Sequence, residues 1–168
     1  MSYRVEPLAA GHDLDAFDCG HDALTIWLRQ HAWRATGQGT RTYLLIGEAT
    51  GGVAGYFALA PHLVERDHAP RAVGRGAPQR IPAILLAKLA LHRSLHGQGL
   101  GAELLVHALT TIVAAARSAG GRLVVVDAVD EDAASFYGAH DFQPSPADPR
   151  RLIMKLGTAA RALDLPWP

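Results

Sequence analysis

HRSLHGQGLG, residues 92–101, puts three glycines into five positions, at 97, 99 and 101. Ahead of it runs the apolar segment Ile84-Leu85-Leu86-Ala87-Lys88-Leu89-Ala90-Leu91, and behind it Glu103-Leu104-Leu105-Val106 opens a helical pattern. A strand, a loop stripped of side chains and a helix start, in that order, make a seat for phosphate. Backbone N–H groups face outward, the helix dipole favours negative charge, and missing Cβ atoms permit close approach. A glycine-rich turn chosen only for tight packing is the competing reading of the same residues. A Walker loop is ruled out because no Gly-Lys-Ser/Thr follows. A dinucleotide fingerprint fits on paper as Gly97-x-Gly99-x-x-Ala102. It lacks an acid about 20 residues on, the nearest candidate being Asp127, and it does not open the fold.

Working outward, Tyr3–Pro7 reads as a strand. Asp22 is placed to cap a helix in which Leu24, Trp27, Leu28 and His31 recur at i, i+3, i+4 and i+7, ended by Gly37 and Gly39. Residues 41–49 and 53–60 read as an antiparallel hairpin across Thr50-Gly51-Gly52. Residues 61–82, rich in Pro, Gly, Arg and His, read as a long loop with a helical turn near Leu63–Asp67. A strand over 84–91, a helix over 101–118 closed by Gly120-Gly121, and a buried-type strand over 123–128 follow. The crossover between the last two strands predicts a right-handed unit with those strands parallel. Residues 130–140 suit a short helix with acids in its first turn, Phe142 starts another extended piece, 145–149 form a turn, 152–156 a final strand and 159–163 a tail helix. The class is a mixed α/β or α+β layer structure in one domain, residues 1–168.

The 168 residues suffice to bury about two-thirds of the unfolded chain's surface. A hydrophobic share of 49% with 19% charged residues fits a compact globular chain rather than a disordered one. Residues 1–13 carry Arg4, Glu6 and Asp13 without a long apolar run, and the apolar stretch 81–91 is short and broken by Lys88, so neither export nor a membrane is expected. A lone Cys19 excludes an internal disulfide and suits the cytoplasm. Net charge is zero, which argues against a uniformly basic coat, yet residues 68–102 hold no Asp or Glu while containing Arg71, Arg75, Arg80, Lys88 and Arg93. Such a run is either a solvated surface or a field that draws an anion. No pair among the nine histidines has zincin spacing, and His92 with His96 falls off any helix, so no metal is expected.

Leu89-Ala90-Leu91 followed by His96-Gly97-Gln98-Gly99-Leu100-Gly101-Ala102 resembles the acyl-CoA-binding motif of the GNAT N-acetyltransferases, written Q/R-x-x-G-x-G/A, with His96 in the Arg/Gln place. Ala133-Ala134-Ser135-Phe136-Tyr137 before His140-Asp141-Phe142 is similar to the family's A-x-x-x-Y…G-F helix and turn, with Asp141 in the usual glycine's place. A narrower likeness takes in Phe17-Asp18-Cys19-Gly20, Trp27-Leu28-Arg29, Arg41-Thr42-Tyr43 and Phe142-x-Pro144-Ser145-Pro146. Together these resemble the GNAT toxins of toxin–antitoxin pairs.

The resemblance implies the GNAT fold: a mixed central sheet with antiparallel N-terminal strands and a splayed parallel pair, flanked by helices. It implies acetyl-CoA as cosubstrate along residues 89–91 and 96–102, with Phe136 beside it. It implies aminoacyl-tRNA as acceptor, a small ribbon-helix-helix antitoxin as partner, and a homodimer. Tyr137 becomes the candidate general acid for the departing thiolate, with Phe136 packing and Tyr137 turned into the cleft. Lys88, Arg93, Arg75, Arg80 and Arg41 become candidate contacts to the acceptor-stem backbone, with the phosphates of CoA a competing claim on Arg93.

The chemistry bears on the acceptor. Many GNAT enzymes carry a carboxylate base on the strand before the glycine loop, and this chain has Lys88 there and no acid nearby. An α-amine with pKa ~8 is roughly 10% neutral at pH 7, whereas a lysine with pKa ~10.4 is below about 0.1% neutral. The missing base therefore favours an α-amine. A GNAT acting on a small amine or a peptide N-terminus, and a CoA-binding interaction protein without catalysis, are the other readings.

Overall fold

The computed structural model describes residues 2–168; Met1, where the expected domain begins, lies outside them. The strands are β1 (Tyr3–Pro7), β2 (Arg41–Gly47), β3 (Val53–Glu65), β4 (Arg80–Leu91), β5 (Leu123–Asp127), β6 (Gln143–Ser145) and β7 (Asp148–Lys155). The helices are α1 (Asp22–Ile26), α2 (Ala32–Thr36), α3 (Arg71–Gly74), α4 (Leu100–Ala119), α5 (Glu131–Ala139) and α6 (Leu156–Ala162). All seven strands join one mixed sheet in the order β1-β2-β3-β4-β5-β7-β6. β1–β2 and β2–β3 are antiparallel, β4–β5 is parallel from Ala83↔Leu123 to Leu86↔Val126, and β7 runs antiparallel to both β5 and β6. The mixed α/β class, the antiparallel N-terminal strands and the parallel pair agree with the expectation. The register of that pair covers Ala83–Leu86 of β4 and does not reach its last residues, 87–91.

The chain forms two compact units. Unit 1 holds residues 1–60 and 87–108. Its core gathers Phe17, Leu28, Ala32, Leu44, Ile46, Tyr56 and Ala90. Removing each large apolar side chain from water contributes about 1.5–3 kcal/mol. Tyr56, fully buried, stacks on Trp27 at 5.9 Å and donates its hydroxyl to Leu24 O at 2.7 Å. Unit 2 holds residues 61–86 and 109–168, and packs Val64, Ala69, Val73, Ile81, Ala83, Leu123, Val125 and Ile153 together.

Several boundaries differ from the sequence expectation, each for a local reason. Asp22 is the first residue of α1 rather than its cap, since the cap position is His21 and makes no side-chain cap bond. Between α1 and α2 lies a π-helical turn, Trp27–His31. The extra residue rotates the inward face by one position, so Ala32 is buried and His31 exposed. β3 continues through Pro61 to Glu65, and β4 begins at Arg80, so the loop is 66–79, not 61–82. Pro61 is tolerated because it lies beyond the last β2 pair, Arg41↔Leu59, where no β2 acceptor awaits its missing N–H. The helical turns sit at Arg66–His68 and Arg71–Gly74, not at 63–67. Residues 143–155 are a β6–β7 hairpin whose second strand starts at Asp148, and the tail helix starts at Leu156. α4 is long and apolar enough, by length and composition alone, to cross a membrane; its Leu104, Leu105, Ala108, Ile112 and Val113 are buried within the protein.

Candidate acyl-CoA site

On unit 1, β4 ends at Leu91 and the His92 amide donates to Ala54 O at 2.7 Å. A 3-10 turn, Arg93–Leu95, follows. The His92 ring organises it: Nδ1 accepts from the Ser94 amide at 3.2 Å and from Ser94 Oγ at 2.9 Å, which leaves Nε2 to donate to Ala16 O at 3.3 Å. His96 folds back, its Nε2 donating to Leu91 O at 2.8 Å. The imidazole in the family's Arg/Gln position is thus spent on closing the loop, which leaves the backbone as its offering to a cofactor.

Gly97 and Gly99 have φ of +77° and +78°, left-handed values that L side chains avoid. A Cβ at either would meet nothing within 4 Å. Tight packing is therefore not why these are glycines. Gly55 of the same unit is the contrast, since a Cβ there would lie 3.0 Å from Ala90 O and 3.3 Å from Leu104. Beyond Gly99, α4 begins at Leu100, and its first-turn amides, including those of Gly101 and Ala102, have no acceptor within the helix. Among residues 89–91, Leu89 is half-buried whereas Ala90 and Leu91 are buried, so the latter two present mainly backbone.

The Phe17-Asp18-Cys19-Gly20 stretch braces the loop. Arg93 N donates to Asp18 O at 2.9 Å, Arg93 Nη1 lies 3.4 Å from Asp18 Oδ2, and Asp18 Oδ1 accepts from the Gly20 amide at 2.8 Å. The Gly20 hydrogen bond holds the Asp18 carboxyl below its ordinary range against desolvation, with the Arg93 charge adding to the lowering. The Phe17 ring meets the His92 ring edge-on at 5.9 Å.

On unit 2, Asp130 caps α5, its carboxylate accepting from the Ala133 amide at 2.8 Å. Tyr137 is 6% exposed, and its ring packs edge-on against Phe142 at 5.5 Å and Phe136 at 5.3 Å. Burial pushes the phenol's pKa above its ordinary value, so the proton stays on oxygen. Phe136, expected to be the packed ring, is only half-buried, beside His140 at 4.7 Å, and Tyr137 is the more buried of the two. Asp141 takes φ +72° in the turn that follows. Asp tolerates that conformation and β-branched residues do not. Asp141→Ile should therefore cost about 1–2 kcal/mol, read as a lower midpoint in denaturant, while Asp141→Gly should not lower it.

The basic residues are mostly engaged. Lys88 Nζ stands 5.4 Å over the Trp27 ring, Arg80 faces Glu65 at 3.5 Å, and Arg41 donates to Thr36 O at 3.0 Å and Thr40 O at 3.2 Å. Arg93 faces Asp18, as above. Glu65 and Asp18 lie outside the acid-free run yet return to neutralise it. Arg75 is exposed and, among the described residues, makes no ion pair.

Sequence reasoning missed a polar network on unit 2. Arg151 grips Asp127 with two 2.8 Å bonds and donates through Nη1 to His62 Nε2 at 3.0 Å. Burial, then the Arg151 charge, lowers the His62 pKa, with Asp127 opposing. The sign follows: as pH falls below the ordinary imidazole value, the unfolded chain takes up a proton that folded His62 resists, so the folded state loses stability. His62→Asn should flatten that slope in denaturant titrations between about pH 6.5 and 5. Among the described residues no cluster of three or more His, Cys, Asp or Glu is placed to hold a metal.

No protein-family model matches the chain. It is 39% identical over 152 residues, 90% of either chain, to a tRNA-acetylating toxin of Mycobacterium tuberculosis. AtaT complexed with acetyl-methionyl-tRNAfMet is 30% identical and superposes with a TM-score of 0.87 over 96% of this chain and 99% of that one. A tyrosine-to-phenylalanine variant of AtaT, bound to the C-terminus of the antitoxin AtaR and acetyl-CoA, is 30% identical with a TM-score of 0.81, covering 95% and 97%. A loop that only glycine can shape, a capped helix presenting a buried tyrosine, and a relationship this close over nearly the whole length lead to one conclusion: the chain belongs to the family of GNAT-type tRNA-acetylating toxins.

Proposed function

We propose that this protein transfers the acetyl group of acetyl-CoA to the α-amino group of an aminoacyl-tRNA, and so acts as the translation-blocking toxin of a toxin–antitoxin pair. The observation that carries this reading is the 39% identity over 90% of both chains to a tRNA-acetylating toxin. The left-handed glycines of the 97–99 loop, open to the space in front of them, support it.

The amides of residues 97–102 hold the diphosphate of acetyl-CoA, and the main chain of 89–91, with Phe136, lines the acyl arm. The neutral α-amine attacks the thioester carbonyl, the C–N bond forms as the C–S bond breaks, and the amine's surplus proton leaves to water. The Tyr137 hydroxyl gives its proton to the departing CoA thiolate and regains one from solvent. A phenol kept protonated by burial suits that role. Arg75, with Arg80, Arg93, Lys88 and Arg41 where their internal partners release them, meets tRNA phosphates. The chain works as a single domain in the cytoplasm, pairs as a homodimer, and is neutralised by a small ribbon-helix-helix antitoxin.

The test mixes purified protein and labelled acetyl-CoA with charged tRNA, deacylated tRNA or free amines. Label on charged tRNA alone is expected. Label on free amines but not on tRNA would make it a small-molecule enzyme, and acetyl-CoA binding without transfer would make it a binding protein.

A further inference from the structure

Of the cations in residues 68–102, Arg80 and Arg93 face carboxylates and Lys88 lies over an indole, whereas Arg71 and Arg75, both on unit 2, have no such partner among the described residues. There Arg66, Arg71 and Arg75, with Asp67, Pro144 and Pro146, line an open cavity of about 820 Å³. Arg71 begins α3 and Arg75 caps it four residues later, so the two stems leave from one side of the turn. Neither makes an ion pair or side-chain hydrogen bond among the described residues. Arg66 is fixed: Nη1 donates to Ala77 O and Nη2 to Gln79 Oε1, both at 3.1 Å. Gly74 lets α3 close on it, since a Cβ there would lie 3.2 Å from the Arg66 stem and 3.3 Å from its carbonyl. Ser145 Oγ donates to His68 O at 2.6 Å, tying the β6–β7 hairpin to the Arg66–His68 turn, so the two walls are already joined.

Arg71 and Arg75, without internal partners among the described residues, line this cavity together with the Asp67 carboxylate, a set that suits an anion that also carries a hydrogen-bond donor. Phosphate matches paired arginines in a bidentate fork. The amino group of cytosine, adenine or guanine is a donor to a carboxylate such as Asp67. An acidic peptide supplies the anion only, and sets its carboxylates against Asp67. A double helix spans a groove and two phosphate strands, so it would meet only the rim of a cavity this size. The proline rings offer an apolar wall for the face of a base.

We propose that this cavity binds one unpaired nucleotide of an RNA strand, its phosphate between Arg71 and Arg75 and its base amino group at Asp67. The proposal rests on the tRNA reading above, and its test fails separately from that reading. Full-length protein is titrated into fluorescent single-stranded cytidine and uridine hexamers from 50 to 200 mM salt, and anisotropy is recorded. The cytidine hexamer is expected to bind several-fold more tightly than the uridine one, because uracil lacks an amino group, and Asp67→Ala should erase that preference. Arg71→Gln/Arg75→Gln, checked by circular dichroism for a native fold, should weaken cytidine binding at least tenfold. It should also flatten the salt slope by about 0.7, the value for one single-strand phosphate contact. An unchanged affinity and slope in the double variant would overturn the proposal, as would tighter binding of an acidic peptide that displaces the hexamer. Intact acetylation of charged tRNA beside hexamer binding indifferent to these residues sinks the cavity alone. Hexamer binding that depends on them, without any acetylation of charged tRNA, sinks the enzymatic reading alone.

Discussion

Tyr137→Phe should lower the turnover of aminoacyl-tRNA acetylation by about 10²–10⁴-fold while leaving the affinity for acetyl-CoA within about twofold, the range expected when one positioned general acid is lost. That factor is about 3–5 kcal/mol of barrier. The substitution removes a single oxygen and keeps the ring, so the edge-on contacts with Phe142 and Phe136 persist and the fold should be unaltered. The pH dependence gives an independent reading. Burial raises the phenol's pKa above its ordinary value of 10.0, so the acid form is retained across neutral and mildly alkaline pH. Turnover should therefore show no fall assignable to this group below pH 10, whereas an exposed tyrosine would begin to lose its proton there. Measured turnover in the variant equal to the wild type would take Tyr137 out of the chemistry and leave it a packing residue. A rise in the acetyl-CoA dissociation constant with unchanged turnover would make it a cofactor contact.

Legibility from sequence followed the range of the interaction that fixes each feature. β1, the parallel β4–β5 pair and α5 were readable because alternation, apolar runs and acids in a first turn are local signals, although Asp130 proves to cap α5 rather than to lie within it. The long α4 was readable from its periodicity, and its end from Gly120, whose φ is +98°. The π-helical turn was not, because one inserted residue leaves composition unchanged while moving the inward face from His31 to Ala32. The reach of β3 through Pro61 was hidden for a related reason: proline reads as a breaker unless one knows that β2 has already ended. At the site, the glycine loop was legible since a left-handed backbone demands glycine wherever it occurs. What the cations do was not. Arg80 and Arg93 meet carboxylates 15 and 75 residues before them in the chain, and Lys88 settles over an indole, contacts that exist only after folding. The deeper burial of Tyr137 than of Phe136 was likewise set by Phe142, across the turn at Asp141, and not by the helix that carries both rings.

Gly99→Ala should weaken acetyl-CoA binding by at least tenfold, and the reason can be separated from mere backbone strain. At φ +78° an alanine is strained by about 1–2 kcal/mol, which the loop can relieve only by turning its amides away from their present directions. Gly51, in the turn between β2 and β3, supplies the control. Its φ is +71° and, as at Gly99, a methyl group there would meet nothing within 4 Å. Gly51→Ala therefore carries a comparable strain at a place with no proposed ligand. The two variants should lose similar stability in denaturant, and calorimetry should find acetyl-CoA affinity reduced only in Gly99→Ala. Gly97→Ala, at φ +77°, should behave like Gly99→Ala. If all three variants bound acetyl-CoA as the wild type does, the amides of residues 97–102 would not be what holds the diphosphate. If Gly51→Ala lost affinity as well, the effect would be one of general destabilisation. Loss confined to positions 97 and 99 is the outcome that ties the left-handed glycines to the cofactor, because the proposed ligand is what distinguishes otherwise equivalent turns.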